Sequence, residues 1–246
     1  MIRTIFAVIF AALVLILALP FLGVQWLCQK KWPHFGEKFG FAYMHFAFRL
    51  VSLPIGIKLD VLGKENIPDD GPCLFIGNHR SYLDVILGYP TLPHMTGFVA
   101  KNDFTKVPIM PILMRRLYCQ FLIEGDIRQN LQAILAAIDN VNQGVSMYIY
   151  PEGKRGTGED ERELLEFHEG SFKIATKTKC PIVPVAVVGT RECFERQFPK
   201  AKAGHVIIEY GTPIDTAGLS REQLKGIGAK CRQTVLEMVK RNHELL

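Results

Sequence analysis

The sequence predicts an α/β fold in which helices flank a largely parallel central sheet, preceded by an N-terminal transmembrane or membrane-embedded helix and an interfacial helix. Three observations lead to this prediction. Short apolar runs alternate with segments of helical periodicity from about residue 57 onward. The first 30 residues are almost uninterrupted in their apolar character. The 246 residues are enough for one large α/β domain.

The N-terminal segment is typical of a membrane helix. No charged residue lies between Arg3 and Lys30, and residues 5–24 are nearly all apolar. As a helix, about 20 residues span about 30 Å, which is the thickness of the bilayer core. A cleaved signal peptide and a buried core helix are the alternatives. Because Lys30 and Lys31 outnumber Arg3, the positive-inside rule predicts that the rest of the chain lies on the cytoplasmic side of the membrane.

An aromatic-rich segment follows between residues 35 and 51, with Lys38 and Arg49 among its apolar side chains. It is short for a membrane span, so we predict an interfacial helix, with a core helix as a nearly equal alternative. The chain then divides into membrane-anchoring helices at residues 1–55 and a globular domain at residues 56–246.

The globular domain shows alternating strand and helix patterns. Strands are predicted at residues 57–62, 72–77, 97–100, 121–123, 145–150, 182–188 and 206–210. Helices are predicted to begin near Ser81 and to cover residues 128–142, 169–178 and 221–242. The polar, glycine-containing stretch 154–166 is predicted to be a mobile loop.

Composition excludes several classes of protein. Hydrophobic residues make up 48% of the chain and the mean hydropathy is +0.14, which agrees with membrane lipids as partners. The net charge of +5 suits an anionic surface or a phosphorylated substrate, but it is too small and dispersed to predict nucleic-acid binding. The six cysteines form no C-x-x-C pair, and we predict no metal site.

A histidine and an aspartate five residues apart form the first candidate site. His79 and Asp84 follow an apolar strand and precede a helix, a position where α/β folds place reactive groups. On one continuous helix this spacing would put them on different faces, so they meet only if His79 lies in the loop. Asp84 then fixes the imidazole tautomer and leaves the other nitrogen free as a base. Alternatively, Ser81-x-x-Asp84 is only a capping box.

A second candidate segment is Tyr150-Pro151-Glu152-Gly153-Lys154-Arg155-Gly156, at the end of another predicted strand. Proline and glycine alone would indicate only a turn. Lys154 and Arg155 could grip a phosphate, with arginine offering two parallel donors. Glu152 is predicted to orient a cation or a substrate hydroxyl.

Two further elements complete the set. Lys101 opens the pattern Lys101-x-x-Phe104-x-x-x-Pro108 at a strand end, and it either adds positive charge to the site or is an ordinary solvated lysine. The strand at residues 182–188 contains Pro184 and is predicted to shape the site.

These four elements, in this order, resemble the glycerolipid acyltransferase family over roughly residues 57–215 and in the N-terminal helices. The segment from Asn78 to Asp84 matches the family's NHxxxxD motif in full, and residues 150–155 match its FPEGTR block with Tyr150 for Phe and Lys154 for Thr. The chain departs at residues 123–126, where the family commonly carries an arginine, and Arg128 is the candidate replacement. It also departs at His168-Glu169, before the next helix.

The resemblance implies transfer of an acyl group from a thioester, acyl-CoA or acyl carrier protein, to the free hydroxyl of 1-acyl-glycerol-3-phosphate, giving phosphatidic acid, without a cofactor. It implies His79 and Asp84 as catalytic residues and backbone amides near the helix start as oxyanion donors. The implied substrate-binding residues are Asn78, Arg80, Ser81, Lys101, Glu152, Gly153, Lys154 and Arg155.

Three alternatives remain open. The departures from the family motifs allow another lysophospholipid or a lyso-aminolipid as the acceptor. A non-catalytic lipid-binding protein on the same fold would need neither His79 nor Asp84. A membrane-bound esterase would be expected to carry a G-x-S-x-G motif, which the chain lacks.

Overall fold

The computed structural model describes residues 2–31, 33–102, 107 and 109–246. Phe104 and Pro108 of the predicted Lys101 pattern lie outside this range, as do the side chains of Lys30 and Lys31. In chain order the helices are α1 (Ile2–Lys31), α2 (Pro33–Ser52), α3 (Leu83–Gly88), α4 (Met110–Arg116), α5 (Ile127–Asn142), α6 (Lys173–Thr178), α7 (Thr190–Cys193), α8 (Arg221–Lys225) and α9 (Ile227–His243).

One sheet forms the centre of the fold. Its strands are β1 (Lys58–Leu62), β2 (Leu74–Gly77), β3 (Thr96–Lys101), β4 (Gln120–Leu122), β5 (Ser146–Ile149), β6 (Ile182–Val188) and β7 (His205–Tyr210). The strand order is β1-β7-β6-β2-β5-β3-β4, and every neighbouring pair is parallel except β6 with β7. The predicted α/β fold with a largely parallel sheet is confirmed.

Helices cover both faces of the sheet. Residues of β2, β5 and β6 that face one side pack against α5, α6 and α9. The side chains on the opposite side, among them Phe75, Tyr148 and Val185, pack against α2, α3 and the segment around Cys193. Burial on both faces explains why β2, β5 and β6 consist almost wholly of apolar residues.

The helices α1 and α2 form a hairpin. The hydroxyl of Tyr43 in α2 donates to the Val14 carbonyl of α1, 2.7 Å away, and Ala18 is fully buried. Within the part of the chain that the structure describes, no helix has the length and hydropathy required of a membrane span. The predicted transmembrane helix is therefore not confirmed.

The sheet topology decides where the candidate residues lie. The strands β6, β2, β5 and β3 are adjacent and parallel, so their carboxyl ends share one edge of the sheet. The segment that contains His79 follows β2, and the segment that contains Glu152 follows β5. Lys101 ends β3, and Gly189 and Thr190 follow β6. This edge is where ligands bind in open α/β sheets.

Candidate active site

His79 and Asp84 form a hydrogen-bonded pair. His79 lies in the loop after β2, and Asp84 lies in the first turn of α3, as their spacing required. The Nδ1 atom of His79 is 2.8 Å from Oδ2 of Asp84. The imidazole is 17% exposed, whereas the carboxylate is fully buried. Among the described residues, Nε2 of His79 has no hydrogen-bond partner, so this nitrogen is available to accept a proton.

Asp84 accepts hydrogen bonds from four groups. Its Oδ2 atom receives the amides of Arg80 and Ser81, each at 2.8 Å, as well as His79. Its Oδ1 atom receives the hydroxyl of Thr190 at 2.6 Å. Asp84 therefore holds the two amides that precede α3 and also orients the histidine. A simple capping box does not describe this geometry, because Ser81 Oγ accepts the amide of Leu83 and Asp84 itself lies inside the helix.

The imidazole of His79 is fixed by stacking as well. The ring of Tyr150, at the end of β5, lies parallel to it, with 4.1 Å between the centroids and 15° between the planes. Burial raises the pKa of the Tyr150 hydroxyl well above its ordinary value, so this neighbour stays neutral. The imidazole therefore has a fixed plane and a fixed tautomer.

Glu152 supports the backbone around His79. Its Oε1 atom accepts the amide of His79 at 2.8 Å, and its Oε2 atom accepts the amide of Leu165 at 2.9 Å. Glu152 is buried, and burial raises its pKa. The role predicted for Glu152 in binding substrate has no support in this geometry, because both of its oxygens bind the protein backbone.

Asn78, Arg80 and Ser81 also have structural partners. The side-chain amide of Asn78 makes two hydrogen bonds of 2.8 Å with the backbone of Val187: its Nδ2 atom donates to the carbonyl, and its Oδ1 atom accepts the backbone N–H. This contact extends the pairing of β2 with β6 by one residue. The hydroxyl of Ser81 accepts the amide of Leu83. All three predicted substrate contacts are buried, and the structure supports a positioning role for each of them.

The buried guanidinium of Arg80 holds the segment 154–166. It donates to the carbonyls of Gly158 and Asp160, at 2.8 and 2.9 Å. Arg191, Arg196 and Arg232 bind further carbonyls of the same segment. The mobile loop that the sequence predicts is thus fastened by arginines from four places in the chain, and sequence reasoning missed three of these arginines.

The amides at the start of α3 are not available to a substrate. Each of the five amides from residue 79 to residue 83 donates to a protein side chain: His79 to Glu152, Arg80 and Ser81 to Asp84, Tyr82 to Glu195, and Leu83 to Ser81. The expectation that these amides stabilise an oxyanion is therefore wrong, because an amide that already donates has no hydrogen left for the substrate.

The segment 150–156 lies beside the loop that contains His79. The amide of Gly156 donates to the carbonyl of His79 at 2.8 Å, and the guanidinium of Arg155 lies 3.8 Å above the ring of Tyr82. Lys154 is exposed to solvent. Gly153 has a φ of +67°, and a Cβ there would lie 3.2 Å from the His168 ring, so this turn requires glycine.

Lys101 has an acidic neighbour. Its Nζ atom lies 3.8 Å from Oε2 of Glu124, and both side chains are largely exposed. Glu124 belongs to the block in which the sequence departs from the family motif. The cation at the end of β3 therefore has a carboxylate beside it.

Comparisons with known proteins agree on one family. A family model described as Acyltransferase matches residues 58–188. The 1-acyl-sn-glycerol-3-phosphate acyltransferase of Saccharomyces cerevisiae is 26% identical over 194 residues, which are 78% of this chain and 63% of that protein. The protein of the same name from Borreliella burgdorferi is 28% identical over 200 residues, which are 81% of this chain and 79% of that one.

A solved structure has the same fold. The crystal structure of the 1-acyl-sn-glycerophosphate acyltransferase PlsC from Thermotoga maritima aligns with a TM-score of 0.84 and 23% identity, over 98% of this chain and 95% of that chain. At this identity the alignment establishes the fold alone.

Proposed function

Because this chain belongs to the acyltransferase family, we propose that it is an O-acyltransferase that converts 1-acyl-glycerol-3-phosphate into phosphatidic acid. The acyl donor is a thioester, either acyl-CoA or acyl carrier protein. The observation that carries the proposal is the 2.8 Å hydrogen bond between His79 and Asp84 at the carboxyl edge of the sheet. The names of the yeast and Borreliella relatives support the choice of acceptor.

In the proposed reaction, Nε2 of His79 removes the proton from the acceptor hydroxyl. The hydroxyl oxygen attacks the thioester carbonyl, and Asp84 stabilises the imidazolium that forms. The tetrahedral intermediate then collapses, the carbon–sulfur bond breaks, and the imidazolium protonates the leaving thiolate. The products are an ester and a free thiol, and His79 returns to its neutral form.

Arg155 is the proposed contact for the acceptor phosphate. Its guanidinium packs against Tyr82, three residues after His79 in the chain. A cation held on an aromatic face keeps its charge and presents its N–H groups outward. Lys154 lies beside it in the chain and adds a second positive charge, which is exposed to solvent.

We further propose that the α1–α2 hairpin attaches the chain to the cytoplasmic face of a membrane, where its lipid substrates reside. The side chains of Val8, Ile16 and Leu27 in α1 are each more than 60% exposed. Such an apolar surface is costly in water and favourable within lipid.

A second acceptor class has one observation in its favour. Glu124 places a negative charge next to Lys101. A carboxylate there favours a lysophospholipid or lyso-aminolipid whose headgroup carries an amine over an acceptor with only a phosphate.

A panel of acceptors tests the proposal. The purified chain is incubated with an acyl-CoA or an acyl carrier protein thioester and with lysophosphatidic acid, lysophosphatidylethanolamine or a lyso-aminolipid. We expect phosphatidic acid as the main product. A clear preference for an amine-bearing acceptor would support the second class instead.

A further inference from the structure

Six exposed side chains cluster where the N-terminal hairpin meets the globular domain. Ile2, Leu53 and Phe198 are 72%, 70% and 70% exposed, which is unusual for large apolar side chains. Three exposed cations lie on the same segments. We call this set the basal patch: Ile2, Arg3, Leu53, Phe198, Lys200 and Lys202.

Contacts between three chain segments form this patch. The amide of Ala201 donates to the Thr4 hydroxyl at 2.7 Å, which joins the 198–202 segment to the start of α1. A Cβ at Gly56, just after Leu53, would lie 3.7 Å from the guanidinium carbon of Arg3 and 3.6 Å from Ala203. The six side chains therefore belong to one region of the surface.

The position of Phe198 is defined by packing. Its ring makes an edge contact with Phe194, with 5.6 Å between the centroids, and Phe194 packs against the core. Within the described ranges, Arg3, Lys200 and Lys202 have no carboxylate within 4.0 Å. The patch thus combines exposed apolar groups with uncompensated positive charge.

An anionic lipid surface fits this combination. Apolar side chains enter the boundary between headgroups and acyl chains, while lysine and arginine bind lipid phosphates. A second copy of the chain fits poorly, because the same three cations would face one another. The patch is also continuous with the exposed apolar residues of α1.

We propose that the basal patch is a second membrane contact, made by the globular domain at the foot of the hairpin. Phe198 and Leu53 enter the interface, and Arg3, Lys200 and Lys202 bind anionic headgroups. This inference rests on the proposed placement of the hairpin in a membrane, and it adds a contact from residues far from the hairpin in the chain.

A tryptophan reporter tests the apolar part. The chain has two tryptophans, and Trp26→Phe with Trp32→Phe gives a background into which Phe198→Trp is introduced. Leu135→Trp serves as the matched control, because Leu135 is 51% exposed on α5, on the opposite side of the sheet. In phosphatidylcholine–phosphatidylglycerol vesicles with brominated acyl chains, we expect quenching at position 198 and none at position 135. Equal quenching, or its absence at both positions, would overturn the proposal.

Charge reversal tests the cationic part. Lys200→Glu with Lys202→Glu should reduce the stimulation of acyl transfer by phosphatidylglycerol several-fold and leave activity in non-ionic micelles unchanged. The control is Lys230→Glu with Lys240→Glu, at exposed positions of α9, which makes the same charge change on the opposite side of the sheet from the basal patch. Equal effects of the two pairs would contradict the proposal. The quenching result is read without turnover, so it stands even if the proposed reaction fails.

Discussion

The hydroxyl of Thr190 donates a 2.6 Å hydrogen bond to Oδ1 of Asp84, although 106 residues separate the two in the chain. Thr190 follows β6 and Asp84 follows β2, so the pairing of these adjacent strands brings them together. Both residues are buried. The bond fixes the carboxylate that orients His79.

Replacement of Thr190 should therefore slow the reaction without weakening substrate binding. Thr190→Val keeps the shape and removes the hydroxyl, so we expect kcat to fall about 10-fold or more, since a hydrogen bond to a charged group contributes about 1.5–3 kcal/mol. The KM values should stay near those of the wild type, and Thr190→Ser should restore most of kcat. Steady-state kinetics measure these changes. The downfield proton resonance of His79 Nδ1–H should shift in Thr190→Val and stay at its wild-type position in Thr190→Ser. Wild-type kinetics for Thr190→Val would remove Thr190 from the catalytic arrangement.

Arg155→Ala should impair use of the acceptor far more than use of the donor. Loss of a charge-assisted hydrogen bond to phosphate costs about 1.5–3 kcal/mol, or roughly 10- to 150-fold in kcat/KM. Arg162→Ala is the matched control, because Arg162 is an exposed arginine of the same segment that pairs with Asp160. If both variants use lysophosphatidic acid as well as the wild type does, Arg155 does not bind the phosphate.

Glu152→Gln distinguishes a positioning residue from a substrate contact. Glutamine has one oxygen for two backbone amides, so either the His79 amide or the Leu165 amide loses its acceptor. We expect a lower melting temperature, from a loss of about 1–3 kcal/mol, together with a lower kcat and a nearly unchanged KM for the acceptor. A raised acceptor KM with an unchanged melting temperature would instead indicate direct contact with the substrate.

Glu161 gives the stability of the fold a pH dependence. Burial raises its pKa above the ordinary value of 4.5, although the Gly189 amide and Arg80 oppose this shift. The folded state therefore binds its proton more tightly than the unfolded state, and the contribution of Glu161 to the free energy of unfolding falls as the pH rises through the raised pKa. Glu161→Gln should melt higher than the wild type, by a margin that grows as the pH rises above 4.5. Glu166→Gln, at an exposed position, is the control, and identical pH slopes for all three proteins would contradict this assignment.

The sequence patterns were sufficient for the sheet and insufficient for some helices. All seven predicted strands appear within two residues of their predicted ends, because each is a short apolar or alternating run bounded by turns. The short helices α4 and α7 escaped prediction, since seven and four residues give too little periodicity. The predicted C-terminal helix is divided at Gly226 into α8 and α9.

The site was predictable only where its residues are close in the chain. The contact between His79 and Asp84 follows from a five-residue spacing and a strand-to-helix boundary. The partners of Asn78 and Glu152 lie up to 109 residues away, and only the strand order joins them. For that reason the sequence alone does not distinguish the motif residues that bind the protein backbone from those that face the substrate.

The most direct measurement is the rate of phosphatidic acid formation by the wild type, His79→Ala and Asp84→Asn, with a thermal melt of each. We predict no turnover for His79→Ala while lysophosphatidic acid still binds, because the base acts in the transition state. Asp84→Asn should lose several powers of ten in kcat, as loss of the aspartate does in a serine-protease triad. The fold should persist, because the asparagine oxygen can still accept the amides of Arg80 and Ser81. Near-normal turnover by either variant in a folded state would contradict the proposed mechanism.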